Sequence, residues 1–253
     1  IHNQGTTDIT DTAIRLEITD PDFFSQVDEI HLRIQDAGVD VPFWIEKWDS
    51  SNQIAIIWVK VSIPAGGSKT IAFYYDNTLT ESLSDGNSVF LFFDDFEGTS
   101  VDTSKWNTQG SLSVSNSYIT ISSGTSKIYT NGIFDFSYPK TLFARVDETG
   151  ADNDGFIGYG FGGACFTIRS TGAKIELSSV QKSRSRFSSE VLIGIYWSSL
   201  TSATFFKDYN VKIDTVTDSS STADTRDVFF ASTYGGTLKV DWVGVTNGYD
   251  PSV

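Results

Sequence analysis

Cleaving a glycosidic bond takes two carboxyl groups held about 5–10 Å apart across a cleft. A strand reading Glu-x-Asp-x-Glu supplies them, because alternate residues point to one side. This chain has no such triplet. Beyond residue 85 its glutamates are Glu97, Glu148, Glu176 and Glu190, and no two of them stand two apart. Asp95 and Glu97 come nearest, but they end at Gly98 and read as a structural cap or a cation ligand. The sequence therefore points away from catalysis, and the expectation is a binding module without enzymatic activity.

Binding chemistry is easier to find. A sandwich holds a sugar with an aromatic ring laid against the pyranose and polar groups beside it. Trp197 closes the run IGIYW at a loop rim; Tyr234 (in TYGG) and Tyr159 also fall at loops. Lys182, Arg184 and Arg186 alternate with Ser183 and Ser185, a basic strip in an acidic chain. It suits an acidic glycan or the carboxylates of a neighbouring copy. Trp197, Tyr234, Tyr159, Arg184 and Arg186 are the candidate ligand residues. The competing reading is that the rings plug the ends of a core and the strip is solvated. The densest acidic loop runs from Asp147 to Gly155. Its Asp152, Asn153 and Asp154 offer the oxygen ligands that a hard cation needs, so calcium is the candidate cofactor. A solvated hairpin loop is the alternative.

Charge and composition narrow the partners. Eighteen basic residues face 32 acidic ones, a net charge of −14. A field of that sign repels phosphate backbones, so no nucleic-acid partner is expected. No run of 18 apolar residues exists, so direct membrane insertion of this segment is not expected. Cys165 is the only cysteine. No internal disulfide can form, and its place in ACFTI reads as a buried strand thiol. The chain opens at Ile1 without Met, which reads as processed or trimmed.

These residues must be positioned by strands. Thr12–Thr19, Glu29–Ile34 and Val41–Trp48 alternate apolar and polar residues, and Ile54–Val61 is apolar almost throughout, as a central strand is. Lys69–Tyr75 follows, and Asp76–Asn87 reads as a polar linker. About a dozen short runs after it, separated by Gly-containing turns, imply a double sheet. Val89–Phe96 (VFLFFDDF) reads as a strand with aromatics on both faces. The C-terminal run Leu238–Val245 is its expected companion. Ser178–Ser189 reads as a basic loop. The fold class is all-β: a small sandwich over 1–84, then a jelly-roll sandwich over 85–253.

Here the residues resemble a known family. VPFWIEKWDSSNQIAIIWVKV, IPAGGSKTIAFYYDN, SDGNSVFLFFDDFEG and DTSKW together are similar to the prokaryotic domain of unknown function 2341. The remainder, through FFDDFEG, DTSKW and VDWVGV, looks like a concanavalin A-like (laminin G-like) jelly roll. The first resemblance implies a small β domain of archaeal or bacterial surface proteins, hence extracellular or cell-surface placement. It implies no activity. Only Ile1, His2 and Asn3 stand for that family's opening strand. The expected partner is a polysaccharide or cell-surface glycan. One alternative is a structural subunit of a filament, pilus or layer, with neighbouring copies as partners. The other is a polysaccharide-degrading hydrolase or lyase.

Overall fold

The computed structural model describes residues 1–122, 124–130, 137–148, 155–159, 163–169, 172–221, 227–232 and 236–251. The chain divides into two compact units, Ile1–Leu91 and the part from Phe92 onwards.

In the first unit, the strands are β1 (Ile9–Ile18), β2 (Leu32–Asp36), β3 (Val39–Asp40), β4 (Phe43–Asp49), β5 (Ile54–Ile63) and β6 (Ala72–Tyr75), with short helices α1 (Pro21–Gln26) and α2 (Gly86–Val89). They form two antiparallel sheets, ordered β1–β5–β4 and β3–β2–β6, a small β-sandwich. The apolar run of β5 is central, as its pattern requires, and Ala55, Ile57, Trp58 and Val59 are fully buried. Burying the Trp58 indole is compatible with its N–H because that group donates to Glu46 Oε2 at 2.8 Å. Asp20–Pro21–Asp22 follows β1 and starts α1. Asp20 caps α1 by accepting from the Asp22 amide, and Pro21 takes a first-turn position where no N–H is needed. Phe23 of α1 packs on Trp48 and Phe73, with ring centres 5.6 and 5.5 Å away.

The first compact unit runs on to Leu91. Asp85 accepts from the Asn87 amide and so starts the single turn of α2. Phe90, just after it, packs its ring 5.4 Å from that of Trp58. The expected Val89–Phe96 strand is accordingly reduced to three residues.

The second unit is a larger sandwich. Its strands are β7 (Phe92–Asp94), β8 (Trp106–Gln109), β9 (Leu112–Ser115), β10 (Tyr118–Ile121), β11 (Ser126–Thr130), β12 (Lys140–Asp147), β13 (Gly155–Tyr159), β14 (Ala164–Arg169), β15 (Gly172–Leu177), β16 (Val180–Arg184), β17 (Val191–Ser199), β18 (Ser202–Lys207), β19 (Val211–Thr217), β20 (Val228–Ser232) and β21 (Leu238–Asn247). One sheet runs β19–β18–β17–β12–β21–β10–β9, with β7 also paired to β21; the other runs β16–β15–β14–β13–β20–β11–β8. The last strand does lie beside the start of the unit: Val243 faces Asp94 and Val245 faces Phe92. Alternate residues of both sheets, Leu142, Ile157, Phe166, Ile193, Phe205 and Phe230 among them, meet in one core.

The motif FFDDFEG–DTSKW is a structural clasp. Asp94 is buried and accepts from the Trp106 indole N–H and, at 3.0 Å, from the Phe96 amide. Lys105 Nζ donates to Phe93 O at 2.8 Å.

Candidate functional site: the outer face of the seven-stranded sheet

Cross-strand register builds this face. Asn107, Tyr129 and Phe229 face one another across β8, β11 and β20, and Phe229 faces Gly158 on β13. Gly158 faces Cys165, Cys165 faces Glu176, and Glu176 faces Gln181. One row therefore crosses all seven strands. The next row runs Gln109, Lys127, Ala231, Phe156, Thr167, Lys174 and Ser183. Because side chains alternate between faces, both rows point away from the core that Ile128, Ile157, Phe166 and Phe230 fill.

The face has a buried middle and open ends. Phe156, Cys165, Phe229 and Ala231 form a small apolar cluster, with Tyr129 packed against it. Gly158 sits at φ +146, where a Cβ would meet the Ala164 carbonyl oxygen at 2.6 Å. Only glycine fits there. Glu176 is 6% exposed. It accepts from the Gln181 amide at 2.6 Å and from the Cys165 thiol at 3.5 Å. At the β8–β11 end, Gln109 is exposed, and Asn107, Lys127 and Tyr129 are half-buried. The Lys127 ammonium lies 5.4 Å from the centre of the Tyr129 ring. A half-open ring flanked by amides and a cation is the chemistry that holds a sugar. From β11 to β15 is four strand spacings, roughly 19 Å, which matches an extended chain rather than one small molecule.

The residues singled out in the sequence go elsewhere. Trp197 is 0% exposed and belongs to the core, with its ring 5.2 Å from that of Tyr159. Tyr159 is likewise fully buried there, and burial pushes its phenol pKa upward. Neither has a surface to offer a sugar, because their alternation points them inward. Arg184 lies on strand β16, not in a loop. Its guanidinium grips the buried Glu148 carboxylate in two bonds of 3.0 and 2.6 Å. The same guanidinium lies 4.4 Å from the Phe187 ring centre. It is a structural ion pair. Arg186 is exposed beside it. Tyr234, Asp152, Asn153 and Asp154 lie outside the described residues. Among the described residues no group of three or more His, Cys, Asp or Glu is placed to hold a metal.

The acids near Phe96 are not gathered for chemistry. Burial, followed by repulsion from Asp94 and Glu97, raises the Asp95 pKa. Glu97 is exposed and accepts from the Ser117 hydroxyl at 2.7 Å. Across the seven-stranded sheet from Glu176, Asp227 lies just before β20 and accepts from the Thr130 hydroxyl at 3.1 Å. Three strand spacings, about 14 Å, separate the two carboxyls, more than a glycosidase pair spans.

Neither Tyr129 nor Glu176 is among the candidate ligand residues that the sequence offers. For Tyr129 the signal was present: in SKIYT, Ser126, Ile128 and Thr130 are buried while Lys127 and Tyr129 are less so.

Residues 27–109 match the family described as domain of unknown function (DUF2341). The match begins in the first unit and runs on through β7 and β8 of the second, and this likeness supports the expected placement outside the cell or at its surface. Among the described residues no helix is long and apolar enough to cross a membrane. An uncharacterized protein of Methanocaldococcus jannaschii, MJ1472, is 28% identical over 124 residues. The match takes in 46% of this chain and 22% of that protein, so the chain spans about a fifth of the relative's length. Among solved structures, an endo-β-1,3-glucanase from Pyrococcus furiosus is similar at TM-score 0.48 and 11% identity, over 64% of this chain and 95% of that one. A glycosyl hydrolase family 16 protein from Mycobacterium smegmatis gives TM-score 0.48 and 15% identity, over 62% and 99%. The catalytic domain of a Thermotoga petrophila laminarinase gives 0.47 and 9%, over 63% and 97%. The larger unit is a jelly-roll sandwich resembling these. The expectation of a chain without enzymatic activity is corrected by the same finding, since several similar sandwiches are named as glucanases.

Proposed function

We propose that the larger unit engages a polysaccharide along the outer face of its seven-stranded sheet. Tyr129, Asn107, Gln109 and Lys127 make the first contacts. The observation that carries this reading is the seven-strand row itself, which sets a half-open tyrosine and amides in line with a buried glutamate. A ring contributes apolar stacking area, while the amides and lysine fix the sugar hydroxyls. If the bound chain is cleaved, Glu176 would be one of the two carboxyls hydrolysis needs, and a second would have to protonate the leaving oxygen. We keep calcium, held by Asp152, Asn153 and Asp154, as part of the proposal.

The test is a panel of soluble β-glucans, pectins and mucin glycans, scored for gel retention and for release of reducing ends, with and without chelator. Tyr129→Ala should weaken retention about tenfold, roughly 1.4 kcal/mol. Glu176→Gln should abolish release and keep retention. Release that survives Glu176→Gln moves the chemistry off that residue. Neither retention nor release on any polymer sinks the reading. Retention unaffected by chelator removes calcium from it.

A further inference from the structure

The first unit also carries an open ring beside polar groups, on the outer face of the sheet β3–β2–β6. Side chains alternate along β2, so Leu32 and Ile34 are buried in the core while Arg33 and Gln35 point away from it. Tyr74 on β6 faces Arg33, and Asp40 on β3 faces Gln35. Tyr74 is 47% exposed. A ring, a guanidinium, an amide and a carboxylate thus share one face across three strands.

A cavity adjoins this face. Strand β3 is only two residues long, and the Val41 amide after it still donates to Ile34 O at 2.9 Å. The chain then crosses to β4 in the other sheet. Where it leaves, a cavity of about 220 Å³ opens, with Arg33, Asp40, Val41, Phe43, Leu83 and Ser88 in its lining. Pockets for drug-sized ligands run to roughly 300–1,000 Å³, so this one takes a single small unit of a longer molecule. Val41, Phe43 and Leu83 supply apolar wall, and Arg33 and Asp40 supply charge.

Arg33 links the ring and the cavity. Its Nη1 lies 3.3 Å from Asp76 Oδ2 and its Nε 3.7 Å from Asp40 Oδ1. Gln35 Nε2 already donates to that Asp40 oxygen at 2.9 Å. Among the described residues the Arg33 Nε–H makes no hydrogen bond, and it is closed off from water. A buried donor left unmet is costly, and a small turn of this long side chain into the cavity meets it with a ligand oxygen. One guanidinium between two carboxylates carries no positive excess, so the ligand is not an anion. The corner calls for a neutral group that accepts from Arg33, donates to the exposed Asp40 carboxylate, and buries an apolar part against Val41, Phe43 and Leu83. An acetamido group has all three: a carbonyl oxygen, an N–H and a methyl. A bare hydroxyl offers nothing to the apolar wall. Tyr74 adds a ring suited to the face of a sugar. From Tyr74 to the Val41 side of β2 is two strand spacings, roughly 10 Å, the length of two linked sugars. We propose that this corner of the first unit binds a glycan carrying N-acetylated amino sugars, with one acetamido group in the cavity and the neighbouring sugar against Tyr74.

The probe is N,N′-diacetylchitobiose, titrated into the intact chain and read by calorimetry and by the NMR resonance of the Arg33 Nε–H, which Arg33→Met identifies by its loss. Binding with a shift of that resonance is the expected result. Cellobiose, with hydroxyls in place of the acetamido groups, should bind about tenfold more weakly or worse. Arg33→Met and Tyr74→Ala should each weaken diacetylchitobiose by about tenfold, with urea midpoints near that of the wild type. Tyr129→Ala, on the other unit, should leave it unchanged. No heat and no shift up to the solubility limit overturns the proposal, as does equal binding of cellobiose. Binding that survives Arg33→Met, or that is lost in Tyr129→Ala instead, overturns it by moving the sugar elsewhere. Equal or tighter binding of acetyl-lysine methylamide overturns it in favour of an acylated peptide.

Discussion

The two sheets of the larger unit carry similar apolar rows on their outer faces, and the rows end differently. On the eight-stranded sheet Phe93, Gly244, Phe143, Gly194 and Phe206 face one another in turn across five strands. Gly194 leaves room for the neighbouring rings of Phe143 and Phe206. Tyr209 stacks on Phe143 at 5.6 Å and hydrogen-bonds Tyr249 through the two phenols. That sheet is capped by rings from its own chain. Its polar groups are also paired among themselves: Tyr118 donates to Glu190, and Arg145 lies 3.7 Å from Glu190 and 4.0 Å from Asp241. On the seven-stranded sheet the apolar middle gives way, at β8 and β11, to Tyr129 with amides and a lysine facing out. The lesson is that apolar content does not distinguish the proposed binding face. The mark is a ring left half open beside donors.

Three variants sharpen this contrast. The largest effect belongs to Arg184→Met. It strands the Glu148 carboxylate, which is fully buried, and should cost about 3–5 kcal/mol. Chemical denaturation measures this, and polymer retention by the fraction still folded should be unchanged. A ligand role for Arg184 would give the reverse pattern. Next comes Gly194→Val on the capped sheet. A Cβ there sits 3.2 Å from the Phe143 ring, so added methyls overpack the row at about 1–3 kcal/mol. The urea midpoint should fall with no change in retention. Smallest is Tyr118→Phe, read through pH. The bond to Glu190, with burial adding to it, raises the Tyr118 pKa above its ordinary 10. Its contribution is therefore complete below pH 10 and is lost as pH rises beyond it. Between pH 9 and 11 the wild-type midpoint should fall more steeply than that of the variant.

Much of the architecture was legible in the residues. The apolar run of β5 and the turns around it gave a central strand, and VDWVGV did find its partner near residue 92. The site was less legible, for a physical reason. Trp197 and Tyr159 sit at strand ends in sequence, but alternation decides which face a ring takes, and both fall in phase with core residues such as Ile195 and Ile157. Arg184 looked free because Glu148, 36 residues away, is brought to it only by pairing of distant strands. Val89–Phe96 was overread for a local reason: an Asp85 cap competes with strand formation, and cap chemistry outweighs aromatic propensity over four residues. Glu176 gained significance only through the register that sets it in line with Tyr129.

The central claim places the glycan on the seven-stranded face. Amide hydrogen exchange of the intact chain, with and without a polymer it retains, tests that most directly. Slowed exchange along Ser126–Thr130 and Gly172–Leu177, with Val191–Ser199 unchanged, is the predicted result. Protection confined to the eight-stranded sheet or to the first unit would contradict it.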